Sequence, residues 1–163
     1  MLIRVATCAD ADGMAAVLQG LVVAGKRRKR SDPAFARSYY IAHPQQIRCS
    51  VAIGGDGSVV GFQSLKLATE PNPYGTPTGW GIVGTHILPG NARQGVGRRL
   101  FRSTWEAAMQ SGIPAIEAFI AETNAAAIAY YDALGFVTYR PVEGVDCKRL
   151  WISKPDHGGG TSP

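Results

Sequence analysis

Between Trp80 and Ser111 the chain passes from a period of two to a period of 3.6 with little room to turn. Trp80 to Leu88 reads as a strand, glycine-rich at Gly79, Gly81 and Gly84, where a backbone or a ligand can come close. Gly95 to Ser111 reads as an amphipathic helix, with Val96, Leu100, Phe101, Thr104 and Ala108 on one side and Arg98, Arg99, Arg102 and Glu106 largely elsewhere. A strand delivered through a tight loop into a helix start aims free backbone N–H groups at one point, at the positive end of the helix dipole. Such a junction can hold a diphosphate without a special side chain, or is no more than a glycine-rich helix start. Gly95 and Gly97 lack a Cβ, which lets phosphate oxygens reach the main chain, and Arg93, Arg98 and Arg102 add charge. The dinucleotide fingerprint is excluded because Leu100 stands where it needs glycine, and no Gly-Lys-Ser/Thr follows to make a P-loop.

The other elements fall on either side of this junction. Leu2 to Ala6 suits a first strand, and Met14, Val17, Leu18, Leu21 and Val22 form one stripe of a helix that starts near Asp10 and ends at Gly25. Ser31-Asp32-Pro33 starts a short second helix reaching about His43-Pro44. Ile47 to Ile53 and Ser58 to Ala68 form a hairpin about Gly54-Gly55-Asp56-Gly57. Pro71, Pro73 and Pro77 make a loop of Glu70 to Gly79. Beyond Gly112 and Pro114 come a short strand, Ala115 to Ile120, an alanine-rich helix, Asn124 to Leu134, and a closing hairpin, Phe136 to Arg140 with Lys148 to Ser153. The order β-α-α-β-β-β-α-β-α-β-β implies a mixed α/β (α+β) domain, its sheet of about seven mostly antiparallel strands covered by helices on both faces. A single domain over 1–155 with a flexible tail at 156–163 is expected.

Composition narrows the class. A hydrophobic share of 45% with 18% charged residues is that of a globular protein. No apolar run approaches the roughly 20 residues that span a bilayer, so no membrane partner is expected. The N-terminus lacks the pattern of a signal peptide, and a cytoplasmic protein is the expectation. Cys8, Cys49 and Cys147 are odd in number and widely spaced, which suits reduced thiols rather than disulfides or a metal site. The net charge of +5 includes one block, Lys26 to Arg30, and favours a polyanionic ligand without choosing between nucleotide cofactor, nucleic acid and acidic substrate.

The run Ile87 to Leu100 resembles the signature of the GCN5-related N-acetyltransferases (GNAT), a strand followed by Arg/Gln-x-x-Gly-x-Gly/Ala. Ala92 stands at the usual Arg/Gln position, with Arg93 beside it to supply charge. Downstream, Asn124 to Phe136 is similar to the family's Asn-x-x-Ala-x-x-x-Tyr-x-x-x-Gly-Phe, matched by Asn124, Ala127, Tyr131, Gly135 and Phe136. The resemblance implies an acetyl-CoA-dependent N-acetyltransferase fold and activity without a metal. It implies that Ala92, Arg93, Gln94, Gly95, Val96, Gly97 and Arg98 meet the pyrophosphate, that Asn124 and Ala127 meet the pantetheine arm, and that the main chain at Ile87 and Leu88 meets the thioester carbonyl. Tyr131 is implied near the sulfur as general acid, with Tyr130 left as a half-buried core residue.

Acetyl transfer to an amine needs a neutral amine, whereas an alkylammonium of pKa about 10.4 is mostly charged at neutral pH. His86 is the titratable side chain of the strand entering the loop, and it serves as the candidate base or as a half-buried structural histidine. Glu70, Glu117, Glu122 and ordered water are the alternatives. Tyr39, Tyr40, Tyr74 and Trp80 line an acceptor pocket or belong to the core and rim. The expected acceptor is a primary amine of a small molecule, an amino-acid-like metabolite or a protein N-terminus. A non-catalytic acyl-CoA-binding module touching nucleic acid through Lys26 to Arg30 is the second reading, and a homodimer is the family's common assembly.

Overall fold

The structure, a computed structural model, describes residues 1–91 and 94–153. The expectations for Ala92, Arg93 and the tail 156–163 fall outside these residues. Seven strands form one sheet: β1 (Leu2–Val5), β2 (Gln46–Ile53), β3 (Val59–Leu67), β4 (Gly81–Ile87), β5 (Ala115–Ala121), β6 (Val137–Val142) and β7 (Val145–Trp151). Four helices accompany them: α1 (Ala11–Val23), α2 (Pro33–Ala36), α3 (Val96–Ser111) and α4 (Ala125–Ala133). The expected element order is the observed one. The spatial order is β1-β2-β3-β4-β5-β7-β6, so the last hairpin folds back and β7 lies inside β6. Pro141 is accordingly on the edge strand, where its missing N–H leaves no ladder bond unmade.

Period-two alternation fixes the two faces of the sheet. Cys49, Val51 and Phe62 turn toward α1 and α2, where they bury Met14, Val17 and Leu18. Ala52 turns the other way against Val96 and Leu100 of α3. Each of the Val, Leu, Met and Phe side chains so removed from water contributes roughly 1.5–3 kcal/mol. Val22, placed on the apolar stripe of α1 by its spacing, is instead 42% exposed, because the stripe has drifted off the sheet by the helix's last turn.

Two local differences from the sequence expectation matter for the site. The second helix is a single α-turn, begun by Asp32 accepting from Phe35 N, that passes into a wider π-helical turn over Arg37–Ile41 and stops before His43. This turn sets Tyr39 and Tyr40 side by side over the sheet, ring centroids 4.9 Å apart. The proline-rich loop is irregular, as expected, but is tied by Asn72, whose side chain donates to the carbonyls of Thr69 and Thr76 and accepts from the amides of Tyr74 and Thr76.

Between the parallel strands β4 and β5 the sheet comes apart. Their register holds for Gly81 with Ile116 and Ile82 with Glu117, and then the ladder ends although both strands continue.

Candidate active site

The α3 start lies to one side of that opening and an aromatic cavity to the other. On the α3 side, Gly95 precedes the helix with φ +77°, a left-handed conformation that an L side chain rarely adopts. Among the described residues nothing lies within 4 Å of where its Cβ would project, and its backbone is exposed. Gly97 is glycine for another reason. A Cβ there would come within 2.6 Å of the Tyr130 ring, so the space that the sequence offered to phosphate oxygens is taken by an aromatic side chain. The Tyr130 hydroxyl donates to the Gly97 carbonyl at 2.8 Å and accepts from Gln63 Nε2 at 3.0 Å, which locks α4 to the first turn of α3. Gln94 and Arg98 are exposed on the same turn, and Val96 is buried beneath it.

The main chain of β4 divides its amides between two sides. Leu88 N donates to the Val60 carbonyl at 2.8 Å, so this amide, expected at the thioester, is spent within the sheet. The alternation of an antiparallel ladder then turns the Ile87 amide away from β3, toward the side where the β5 ladder has already ended.

Tyr131 is 5% exposed and packs on Phe136, its hydroxyl 2.8 Å from Thr85 Oγ1 on β4. Thr85 in turn accepts from Gln63 Nε2 at 2.8 Å, and Gln63 Oε1 accepts from Thr104 Oγ1. A four-residue polar chain therefore runs from α3 through β3 and β4 to Tyr131 inside an otherwise apolar layer. Burial pushes the Tyr131 phenol above its ordinary value while the Thr85 hydrogen bond opposes the shift. The phenol stays protonated at neutral pH, and its proton is held more tightly than a free phenol's. Asn124 caps α4 by accepting from Ala127 N at 3.2 Å, which leaves its amide nitrogen exposed and Ala127 half-buried.

On the opposite face lies a cavity of about 620 Å³, walled by Tyr39, Tyr40, Tyr74 and Phe119 and reaching Gly84 and His86 on the open edge of β4. Trp80 is elsewhere, packed on Tyr139 and Trp151. His86 sits between Phe62 and Tyr40, its Nε2 3.2 Å from the Tyr40 hydroxyl. Burial, followed by the charges of Arg27, Lys29 and Lys66, pushes the imidazole down to about 3. It is neutral at physiological pH and resists taking a proton, which argues against its service as the base.

The carboxylates offered as alternatives are placed no better. Glu117 is fully buried and accepts from Thr76, Tyr139, Arg140 and Cys147. Burial alone would raise its pKa, but these four donors together hold it below the ordinary carboxylate range. Glu70 and Glu122 are exposed and do not line the cavity. The sequence also left Gln63 and Lys66 unremarked and gave Thr85 no role, although a glutamine and a lysine in the apolar strand Val59–Leu67 are a signal that inward polar groups have work there.

Residues 17–136 match the acetyltransferase (GNAT) family. A mycothiol acetyltransferase of Frankia casuarinae is 28% identical over 122 residues, a match that takes in 69% of this chain and 31% of that protein, so the chain spans about a third of this curated relative. A GCN5-related N-acetyltransferase from Kribbella flavida superposes with a TM-score of 0.74 at 22% identity, covering 92% of this chain and 96% of the other. A GNAT-superfamily phosphinothricin acetyltransferase from Sinorhizobium meliloti, solved with acetyl-CoA, gives a TM-score of 0.72 at 18% identity over 99% of this chain and 92% of the other. The strand-to-helix junction, the parted strands and the matched segment agree, and the chain belongs to the acetyltransferase (GNAT) family, acyltransferases that draw on acetyl-CoA.

Proposed function

We propose that the chain transfers an acetyl group from acetyl-CoA directly to the primary amine of a small molecule seated in the aromatic cavity. One observation carries this reading: the β4–β5 ladder stops after Ile82 and Glu117, at a place bounded by the α3 start on one face and by the cavity on the other. The residues present fit the cofactor. Exposed main chain at Gly95, with no described residue near where a Cβ would be, suits the diphosphate, and Arg98 stands beside it. In this reading the exposed Asn124 side chain meets the pantetheine arm and the Ile87 amide, turned away from β3, meets the thioester carbonyl. When bound, acetyl-CoA supplies an activated acetyl group on sulfur.

The chain's own residues then have two tasks, to leave the amine neutral and to protonate the leaving sulfur. Gln63 donates to Thr85 Oγ1, so Thr85 can direct its own hydrogen to the Tyr131 oxygen and leave the Tyr131 proton for sulfur. The cavity lowers the cost of a neutral amine without a dedicated base. Lys66, an alkylammonium in its wall, is pushed down to about 8 by burial and by Lys29, and an acceptor amine in the same place meets the same forces. Water can carry the remaining proton away.

The test is coenzyme A thiol release from acetyl-CoA across a panel of small amines, with wild type and Tyr131→Phe. At least one amine accelerates release, and Tyr131→Phe lowers kcat by about 10²-fold or more while the acetyl-CoA Kd stays within a few-fold. Bound acetyl-CoA with no amine accelerating release sinks the enzyme reading; equal losses of kcat and affinity sink the acid role.

A further inference from the structure

The cavity's charge is one-sided. Arg27 and Lys29 from the basic block and Lys66 from β3 line it, and no aspartate or glutamate does so among the described residues. The block is thereby divided: Lys26 and Arg28 lie away from the cavity and Arg30 is paired with Asp32 at 2.9 Å, while the half-buried Arg27 and the exposed Lys29 stand at the cavity wall. Ion pairs among the described residues involve Arg4, Arg30, Arg140 and Lys148, none of them a wall cation. Arg27 spends its donors on neutral oxygens, Ser31 Oγ and the Arg30 carbonyl. Lys66 has only the faces of Tyr39 and Tyr40, its Nζ 3.3 and 5.1 Å from the two ring centroids.

Three like charges gathered around a half-enclosed, aromatic-walled space repel one another, and among the described residues the arrangement has no counter-charge. An acceptor carrying an ammonium alone would add a fourth. We infer that the acceptor is an amino-acid-like amine that also bears an oxyanion, a carboxylate or a phosphonate-type group, which Arg27, Lys29 and Lys66 seat while the amine faces the open edge of β4. This inference rests on the cavity being the acceptor site proposed above. The aromatic walls fit a flat or apolar side chain, and a volume near 620 Å³ is within the usual range for a small-molecule site. The cationic seat discriminates in two directions, attracting the oxyanion and disfavouring amines that lack one.

Matched acceptors decide the matter: L-phenylalanine, L-phenylalaninamide, 2-phenylethylamine and 1-amino-2-phenylethylphosphonate, each scored by thiol release as kcat/KM. The carboxylate or the phosphonate should exceed both neutral analogues by about 100-fold or more, and which of the two leads identifies the oxyanion. In Lys66→Met and Arg27→Met that ratio should collapse to a few-fold, with the acetyl-CoA KM unmoved. A neutral analogue that matches or beats both anions in wild type overturns the inference whatever the variants do. The seat is also read without catalysis, by the thermal shift given by 3-phenylpropanoate, which has no amine. If no amine is acetylated yet 3-phenylpropanoate stabilises wild type and not Lys66→Met, acetyl transfer fails and the anion seat stands. If 3-phenylpropanoate gives no shift and the acids no preference, the seat fails even where amines are acetylated.

Discussion

Beneath the loop joining β3 and β4, charge is gathered in two places built in opposite ways. At Glu117 one carboxylate is surrounded by its donors, Arg140 on one oxygen at 2.8 Å together with Tyr139 and Cys147, and Thr76 on the other. Across the loop, Arg27, Lys29 and Lys66 share a cavity wall with no carboxylate among the described residues. The first site is complete, and its partners come from the loop, β5, β6 and β7, so it fastens the chain to itself. The second is incomplete, and a folded chain retains uncompensated charge of this kind where something outside the chain supplies the balance. The difference separates an ionised cluster that stabilises the fold from one reserved for a ligand.

The largest effect that would break this contrast is at the completed site. Glu117→Gln removes the charge that neutralises Arg140 and leaves buried donors short of an acceptor, and should cost about 2–3 kcal/mol, since the part-exposed Arg140 keeps some access to water. Urea unfolding monitored by tryptophan fluorescence checks it, Trp80 and Trp151 lying beside Tyr139. A loss under about 1 kcal/mol would show Glu117 to be no better fastened than the surface pairs.

The opposite sign is expected at the incomplete site. Lys66→Met removes an ammonium whose folded pKa is pushed down from 10.5 to about 8 by burial and by Lys29. Facing it are Arg27, His43 and His86 as further basic groups, the phenols Tyr39 and Tyr40, and the buried thiol Cys49. Because the unfolded chain holds that proton more tightly, the penalty is full below pH 8, shrinks between 8 and 10.5, and is gone above. Lys66→Met should therefore be more stable than wild type at pH 7, by about 1 kcal/mol once solvent on the exposed side of Lys66 is allowed for. The advantage should fade as pH approaches 10.5. Destabilisation at pH 7 would mean that the wall cations are compensated after all.

Much of this was legible in the sequence, and the reason is local. The strand, turn and helix periods of Trp80 to Ser111 and the spacing of Asn124, Ala127, Tyr131 and Gly135 lie within single stretches of chain, so the element order and the strand-to-helix junction could be read directly. What escaped is long-range. The Gln63–Thr85–Tyr131 chain joins β3, β4 and α4, and the Glu117 cluster joins Thr76, Tyr139, Arg140 and Cys147, contacts on which no local period bears. Gly97 shows the same division: its lack of a side chain was visible, but the ring of Tyr130 filling the space belongs to another helix. The Leu88 amide needed the β3 register, which puts its donor onto Val60.

The loop itself separates the two charged sites most finely. Its inner end carries Thr76 to Glu117, while the Tyr74 hydroxyl lies 3.0 Å from that of Tyr39 on the cavity wall and the Tyr74 carbonyl accepts from Arg140 Nη2 at 2.8 Å. Asn72 holds these ends together through its four side-chain hydrogen bonds, all within the loop. Because water can replace those bonds at the half-buried Asn72, Asn72→Ala should cost less than about 1 kcal/mol in urea unfolding. A loosened Tyr74 nonetheless widens the cavity, so the acceptor KM should rise a few-fold with the acetyl-CoA KM unchanged. A stability loss as large as that of Glu117→Gln would make the loop part of the completed cluster. An unmoved acceptor KM would detach Tyr74 from the cavity and leave the cationic wall to recognise its ligand without the loop.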